Sequence, residues 1–175
     1  MVARQIGRKP RGMLRVETRC AYGYPAVVSV APLAGPAAAP FPTLFWLTCP
    51  ALVEDVSRVE STGAISTLEA EARSDPALAA AIAADHRRYA EERFSLLDAA
   101  GRTAADARGL TPVLRDSGVG GSRDREHLKC LHAHYAFHRA RGGAIGEILD
   151  RRHGPRECTP DRVRCAEPPQ TRRSP

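Results

Sequence analysis

A chain of 175 residues with 43% apolar and 5% aromatic content is long enough for one domain whose core leans on Leu, Val, Ile and Ala. No apolar run of about eighteen residues occurs, which excludes a bilayer-spanning helix, and the fourteen Gly and fourteen Pro fall between apolar segments rather than in a repeat, which excludes collagen-like and low-complexity classes. The net charge of +6 sits at the ends: residues 1–12 carry +4 and residues 151–175 another +4, leaving the body at −2. A duplex binder needs a basic face on its folded domain, so nucleic acid is not an expected partner beyond weak contacts of the tails. The basic start lacks the apolar stretch of a signal peptide, and a cytoplasmic protein is expected.

After the basic arm, residues 13–19 alternate apolar and polar and predict a strand. A turn at Tyr22-Gly23-Tyr24-Pro25 leads to a short β-branched strand over 26–30, closed by Pro32 and a Gly/Pro/Ala loop through Pro42. Residues 43–48 form a third, mostly apolar run that suits a central or doubly covered strand. From Pro50 the period changes: Leu52, Val53, Val56 and Val59 share a helical face, with Gly63 as a stop. Ile65 and Leu68 belong to a segment of open type. Asp75-Pro76 predicts a capped helix running to Gly101, followed by a connection to Asp116 with one more helical turn. The flexible loop 117–122 opens into a helix over 123–141, and 144–149 form a final short element.

Five cysteines without an export signal argue for reduced thiols rather than a disulfide framework. Cys20 ends the first strand, and Cys49 ends the third, just before a helix start whose free amides favour a thiolate. Cys130 falls inside the predicted late helix, where His134 lies roughly 40° away around the axis and one turn along. His132 points away from Cys130 on that helix and is the poorer ligand. If the first and third strands are neighbours, Cys20, Cys49 and Cys130 converge, and three thiolates with His134 or an open position suit a zinc ion or an iron–sulfur cluster. Cys158 and Cys165 lie in the Arg/Pro-rich tail and are left out of the site.

Two further groups carry chemistry. His86, Tyr89 and Arg93 share the inward stripe of the helix that starts at Pro76, where Arg93 would bind an anionic small molecule and His86 would move protons. The competing reading is a satisfied core histidine with Tyr and Arg at its rim. Gly118, Gly120 and Gly121 precede a predicted helix start and offer amides to an anion, although no P-loop pattern follows; a tight turn is the plainer alternative.

Arg19-Cys20-Ala21-Tyr22-Gly23-Tyr24-Pro25, residues 41–50 from Phe41 to Pro50, Ser117-Gly118-Val119-Gly120-Gly121 and Lys129-Cys130-Leu131-His132-Ala133-His134 together resemble the bacterial domain of unknown function 501 family, over about residues 13–149. The pattern departs from the family at 141–146, where an Asn-Pro pair is expected before the Ile/Val-Gly step. The resemblance implies a small cytoplasmic bacterial protein encoded near a septum-formation initiator and an exopolyphosphatase, strengthens the choice of Cys20, Cys49 and Cys130, and leaves the reaction open.

The expected architecture is a single α+β domain over 13–149, a small antiparallel sheet packed against three or more helices, with a disordered basic arm (1–12) and a disordered Arg/Pro-rich tail (150–175). The leading functional expectation is a metalloprotein holding an iron–sulfur cluster or zinc, with a small substrate at an open metal position. The alternative is a non-catalytic adaptor in cell division or envelope growth, with a cell-division protein as partner and a structural metal or none.

Overall fold

The computed structural model describes residues 1–33, 39–124 and 126–166. The fold is α+β. Strands β1 (Met13–Arg19), β2 (Pro25–Val30) and β3 (Phe45–Leu47) form an antiparallel sheet in the order β1-β2-β3. All six residues of β2 are buried, so β2 is the central strand, and the apolar run at 43–48 supplies an edge strand covered by a helix instead. β1 and β3 are therefore not neighbours. They run in the same sense on either side of β2, and their ends at Cys20 and Cys49 flank the start of β2. Two strand spacings, about 10 Å, separate them in the sheet.

A short helix α1 (Val2–Ile6) lies in the basic arm, and α2 (Pro50–Ser61) follows the sheet with Cys49 as its extended N-cap and Pro50 at its first position. The open segment at 65–68 is helical, within α3 (Ala64–Ser74). The Asp75 carboxylate accepts the amides of Ala77 and Leu78 at 2.9 and 3.1 Å and starts α4 (Pro76–Ser95). The helix expected to reach Gly101 ends at Ser95, because Asp98 caps a separate helix α5 (Ala99–Ala107) by accepting Gly101 N–H at 2.7 Å. After α6 (Thr111–Asp116) and a single 3-10 turn at Val119–Gly121 come α7 (Leu131–Arg141) and α8 (Ala144–Arg152).

Helix α7 does not begin near Arg123 as its composition suggests. Two carboxylates take the amides that would extend it backwards: Glu69 accepts Leu128 N–H at 2.9 Å and Glu60 accepts Leu131 N–H at 2.7 Å. Cys130 is left extended, at φ −164° and ψ 124°. Helix α7 then packs on β3, α2 and α8, while α4 packs on α3, α6 and α8. One apolar cluster joins Ala26, Leu52, Val56, Leu131 and Ile145; another joins Val27, Phe45, Tyr89, Val119 and Phe137.

Residues 153–166, part of the stretch expected to be disordered, lie back on the body. Glu157 accepts Ala21 N–H at 2.7 Å and pairs with Arg139 at 2.8 Å, and Asp55 accepts Arg156 N–H at 2.8 Å. The rest of the expected disordered tail, 167–175, lies outside the described residues.

Candidate functional site

The extended backbone at Cys130 leaves its thiol beside Glu60 of α2 and His132 in the first turn of α7. Its Sγ stands 3.7 Å from Nδ1 of His132, and the same Nδ1 stands 3.4 Å from Oε2 of Glu60. These three atoms all lie within 4.8 Å of one another, the one such Glu/Cys/His group among the described residues. Val53, Ser57 and Glu60 follow one face of α2, and His132 reaches across to it from the first turn of α7.

Hydrogen bonding fixes which ring nitrogen faces the thiol with its lone pair. The Ser57 hydroxyl donates to Val53 O at 2.7 Å, so toward His132 its oxygen offers only lone pairs. Nε2 of His132 lies 3.0 Å from that oxygen and 3.2 Å from Val53 O, both acceptors, and therefore carries the proton. In the neutral ring Nδ1 is then unprotonated, aimed with the Cys130 sulfur and the Glu60 carboxylate at one space. His132 is held above the ordinary imidazole value, first by its hydrogen bond to Cys130 and against burial, with the Glu60 charge adding to it. An arrangement of this kind attracts a proton or a metal cation.

The expected ligand set of Cys20, Cys49, Cys130 and His134 is not assembled: no three of these bring their ligand atoms within 4.8 Å among the described residues. The reason is local. Cys130 precedes α7, so the one-turn stacking of Cys130 under His134 does not arise, and His132, the neighbour the helical reading set aside, takes its place. His134 instead packs edge-on against His86, with ring centroids 5.4 Å apart. Its Nε2 is buried without a hydrogen-bond partner, and burial, followed by the His86 ring, pushes its pKa down to about 3. Cys20 and Cys49 lie at the far end of the sheet, against the apolar cluster that contains Leu52 and Ala26.

His86, Tyr89 and Arg93 do share one buried face of α4, but Nδ1 of His86, the Tyr89 hydroxyl and the Arg93 guanidinium serve the main chain. His86 Nδ1 accepts Val119 N–H at 2.9 Å, and the Tyr89 hydroxyl accepts Leu44 N–H at 2.5 Å. Burial pushes Tyr89 up to about 12. Arg93 is fully buried and donates to the carbonyls of Leu114 at 2.7 Å, Pro42 at 2.9 Å, Val113 and Gly118 at 3.4 Å, and Ser117. Every guanidinium nitrogen is thereby engaged, which removes the anion-binding role expected of it.

The glycine-rich loop is consumed in the same way. Gly118 N–H donates to Ser122 O at 2.7 Å and Gly121 N–H to Gly118 O at 3.0 Å, so these amides are turned inward and not toward a ligand. The glycines answer close packing: a Cβ on Gly118 would fall 2.1 Å from His86 Nδ1, and one on Gly121, at φ +81°, would fall 2.8 Å from Pro42. Gly120, also at positive φ, sits under Ala133. The loop cements α4 to the segment before β3, and since the Gly120 amide serves the Tyr89 hydroxyl, the three amides expected at an anion are taken within the protein.

Glu60 was not among the sequence candidates. Its signal was present but weak, a carboxylate seven residues after Val53 and three after Ser57 on a helix that could have been aimed at any neighbour. No helix of the described residues is long and apolar enough to cross a membrane. The family model described as "Protein of unknown function (DUF501)" matches residues 16–151. No curated protein and no solved structure matches the chain.

Proposed function

The chain belongs to the DUF501 family of proteins of unknown function, and we propose that it is a metalloprotein holding a zinc ion through Glu60, Cys130 and His132, with the fourth position open to water or a small ligand. The observation that carries the reading is the convergence of one sulfur, one nitrogen and one oxygen, the nitrogen oriented by a proton on the opposite side of its ring. A tetrahedral zinc with ordinary bond lengths separates sulfur from nitrogen by about 3.6 Å and nitrogen from oxygen by about 3.3 Å. The separations here are 3.7 and 3.4 Å. The Val53 carbonyl and Ser57 hydroxyl behind His132 supply the outer hydrogen bonds that metal-binding histidines use. Three protein ligands with a vacant fourth position are the pattern of zinc sites that act on a substrate. With His132 and Glu60 both partly exposed, that position faces solvent.

The test is cobalt or zinc titration of metal-free full-length protein beside its Glu60→Gln, Cys130→Ser and His132→Ala variants. The expected result is loss of one equivalent, and of the sulfur-to-cobalt absorption, in the cysteine and histidine variants, with a weaker site in the glutamine variant. Undiminished stoichiometry in all three removes the reading. A second reading, a nucleophilic Cys130 paired with His132, is favoured by the hydrogen bond between them. It predicts rapid alkylation of Cys130 that zinc does not slow, where the metal site predicts protection. The adaptor alternative rests on the family resemblance alone, and co-purification with a cell-division protein is its test.

A further inference from the structure

Gln5 of α1 and the segment 157–165 meet at one end of the sheet, and that segment brings two cysteines to the two already there. Cys20 closes β1, its N–H donating to Tyr24 O at 2.9 Å, and Cys49 stands on the other side of β2, its N–H donating to Ala26 O at 3.3 Å. Between them, the Pro25 carbonyl accepts the Gln5 side chain at 2.7 Å. The same Gln5 Nε2 lies 3.2 Å from Sγ of Cys165. The C-terminal segment is held there at two points. Glu157, the residue before Cys158, binds the amide of Ala21, the residue after Cys20. Arg164, the residue before Cys165, donates to the carbonyl of Pro50, the residue after Cys49, at 3.2 Å and also pairs with Glu54. Each tie joins the immediate neighbours of two cysteines, Cys158 to Cys20 and Cys165 to Cys49.

From this convergence we propose a second, all-thiol centre, Cys20, Cys49, Cys158 and Cys165, that takes an iron–sulfur cluster. Cys49 and Cys165 are buried, while Cys20 and Cys158 are partly exposed, so the group has a protected side and an entry side. Four thiolates are the ordinary ligand set of such clusters. Their spacing favours a cluster over a single ion. A zinc held by four sulfurs brings them within about 3.8 Å of one another. No three of these sulfurs lie within even 4.8 Å, whereas in a cluster the iron and sulfide occupy the space between them.

The thiols nonetheless sense one another. Cys49 is pushed up first by burial, opposed by the amides of Leu52 and Ala51, and then by Cys158 and Cys165. Cys165 is pushed up by burial, with Cys158 and Cys20 adding to it and Gln5 and Arg4 opposing. A cluster with four thiolates is anionic, and basic side chains lie at this end of the sheet. Arg4 and Arg164 are the basic side chains that the structure places beside it.

The test is anaerobic reconstitution of the full-length protein with ferrous iron and sulfide, reading absorbance near 400 nm together with iron and sulfide per chain. The wild type and Cys130→Ala are expected to form the chromophore equally, which separates this centre from the proposed zinc site. Cys158→Ser and Cys165→Ser are expected to lose most of it. Cys158 is partly exposed, so its variant keeps the test valid should a buried cysteine variant fold poorly. Absence of a chromophore in the wild type, an undiminished one in both tail variants, or uptake of zinc at these thiols in preference to the cluster would each overturn the assignment.

Discussion

The imidazole of His86 occupies the space in which a side chain at Gly118 would begin: an ideal Cβ there falls 2.1 Å from Nδ1 and 2.5 Å from Cγ. Gly118 has φ −81°, so its backbone is open to any residue and only the ring forbids one. Gly118→Ala is expected to cost about 3 kcal/mol, combining overpacking with loss of the Val119 N–H bond to His86. Denaturant unfolding measures it. In a His86→Ala background the added cost of Gly118→Ala should fall to near zero, and full additivity would show that the ring is not the obstacle.

Arg93 gives a second prediction, because its five carbonyl partners come from Pro42 and from the 113–118 segment. Lysine keeps the charge but lacks the planar fork, so Arg93→Lys should lose about 2–4 kcal/mol of stability. Were the side chain a ligand contact instead, the thermal midpoint would stay unchanged and only a binding property would move.

Acid should weaken the contact between the sheet and the helices. Glu17 on β1 is nearly buried, and Arg141 of α7 joins it at 2.9 Å to Glu92 of α4, which Arg141 holds at 2.7 Å. Burial alone would raise the Glu17 pKa, yet hydrogen bonds, those of Arg15 and Arg141 among them, hold it below the ordinary 4.5. A depressed carboxyl contributes stability that is present above its unfolded value and lost as pH falls through its folded one. Glu17→Gln should therefore cost about 1–2 kcal/mol at neutral pH and less in acid, below the folded Glu17 value. Chemical denaturation of both proteins at neutral and acid pH checks it, and a penalty that does not shrink in acid would contradict it.

Ser57 touches the proposed zinc site only through His132. Ser57→Ala should leave the stoichiometry at that site intact while weakening zinc about tenfold, because it frees the ring to turn. The hydroxyl is exposed, so stability should change by less than about 0.5 kcal/mol. Unaltered affinity would mean that the Val53 carbonyl alone orients the imidazole.

β1 runs over the expected residues, Met13–Arg19, but its burial does not follow the alternation, since Leu14 is exposed and Glu17 nearly buried, whereas the β-branched run of β2 is buried throughout. The caps at Asp75 and Cys49 were legible because side chain and Pro stand side by side in the sequence. What misled was tertiary. Beyond the bond of Asp124 to Glu126 N–H, what keeps the stretch before Leu131 out of the helix is distant: the carboxylates of Glu69 and Glu60, about sixty to seventy positions earlier, take the amides of Leu128 and Leu131. That single start site decides whether Cys130 faces His134 or His132. The same holds for Cys158 and Cys165, whose surroundings read as tail because the ties that hold them come from Ala21 and Pro50. Residues 34–38, within the predicted Gly/Pro/Ala loop, lie outside the described residues.

The contact between Gln5 and Cys165 spans 160 positions of sequence. During synthesis the sheet and α2 can form while the second partner is still untranslated, so a ribosome-bound nascent chain lacks the cover at the Pro25 end of β2 until residues 157–165 emerge. The Pro25 end of β2 is therefore the last edge of the described fold to close, and Glu157 and Arg164, through Ala21 and Pro50, latch it shut.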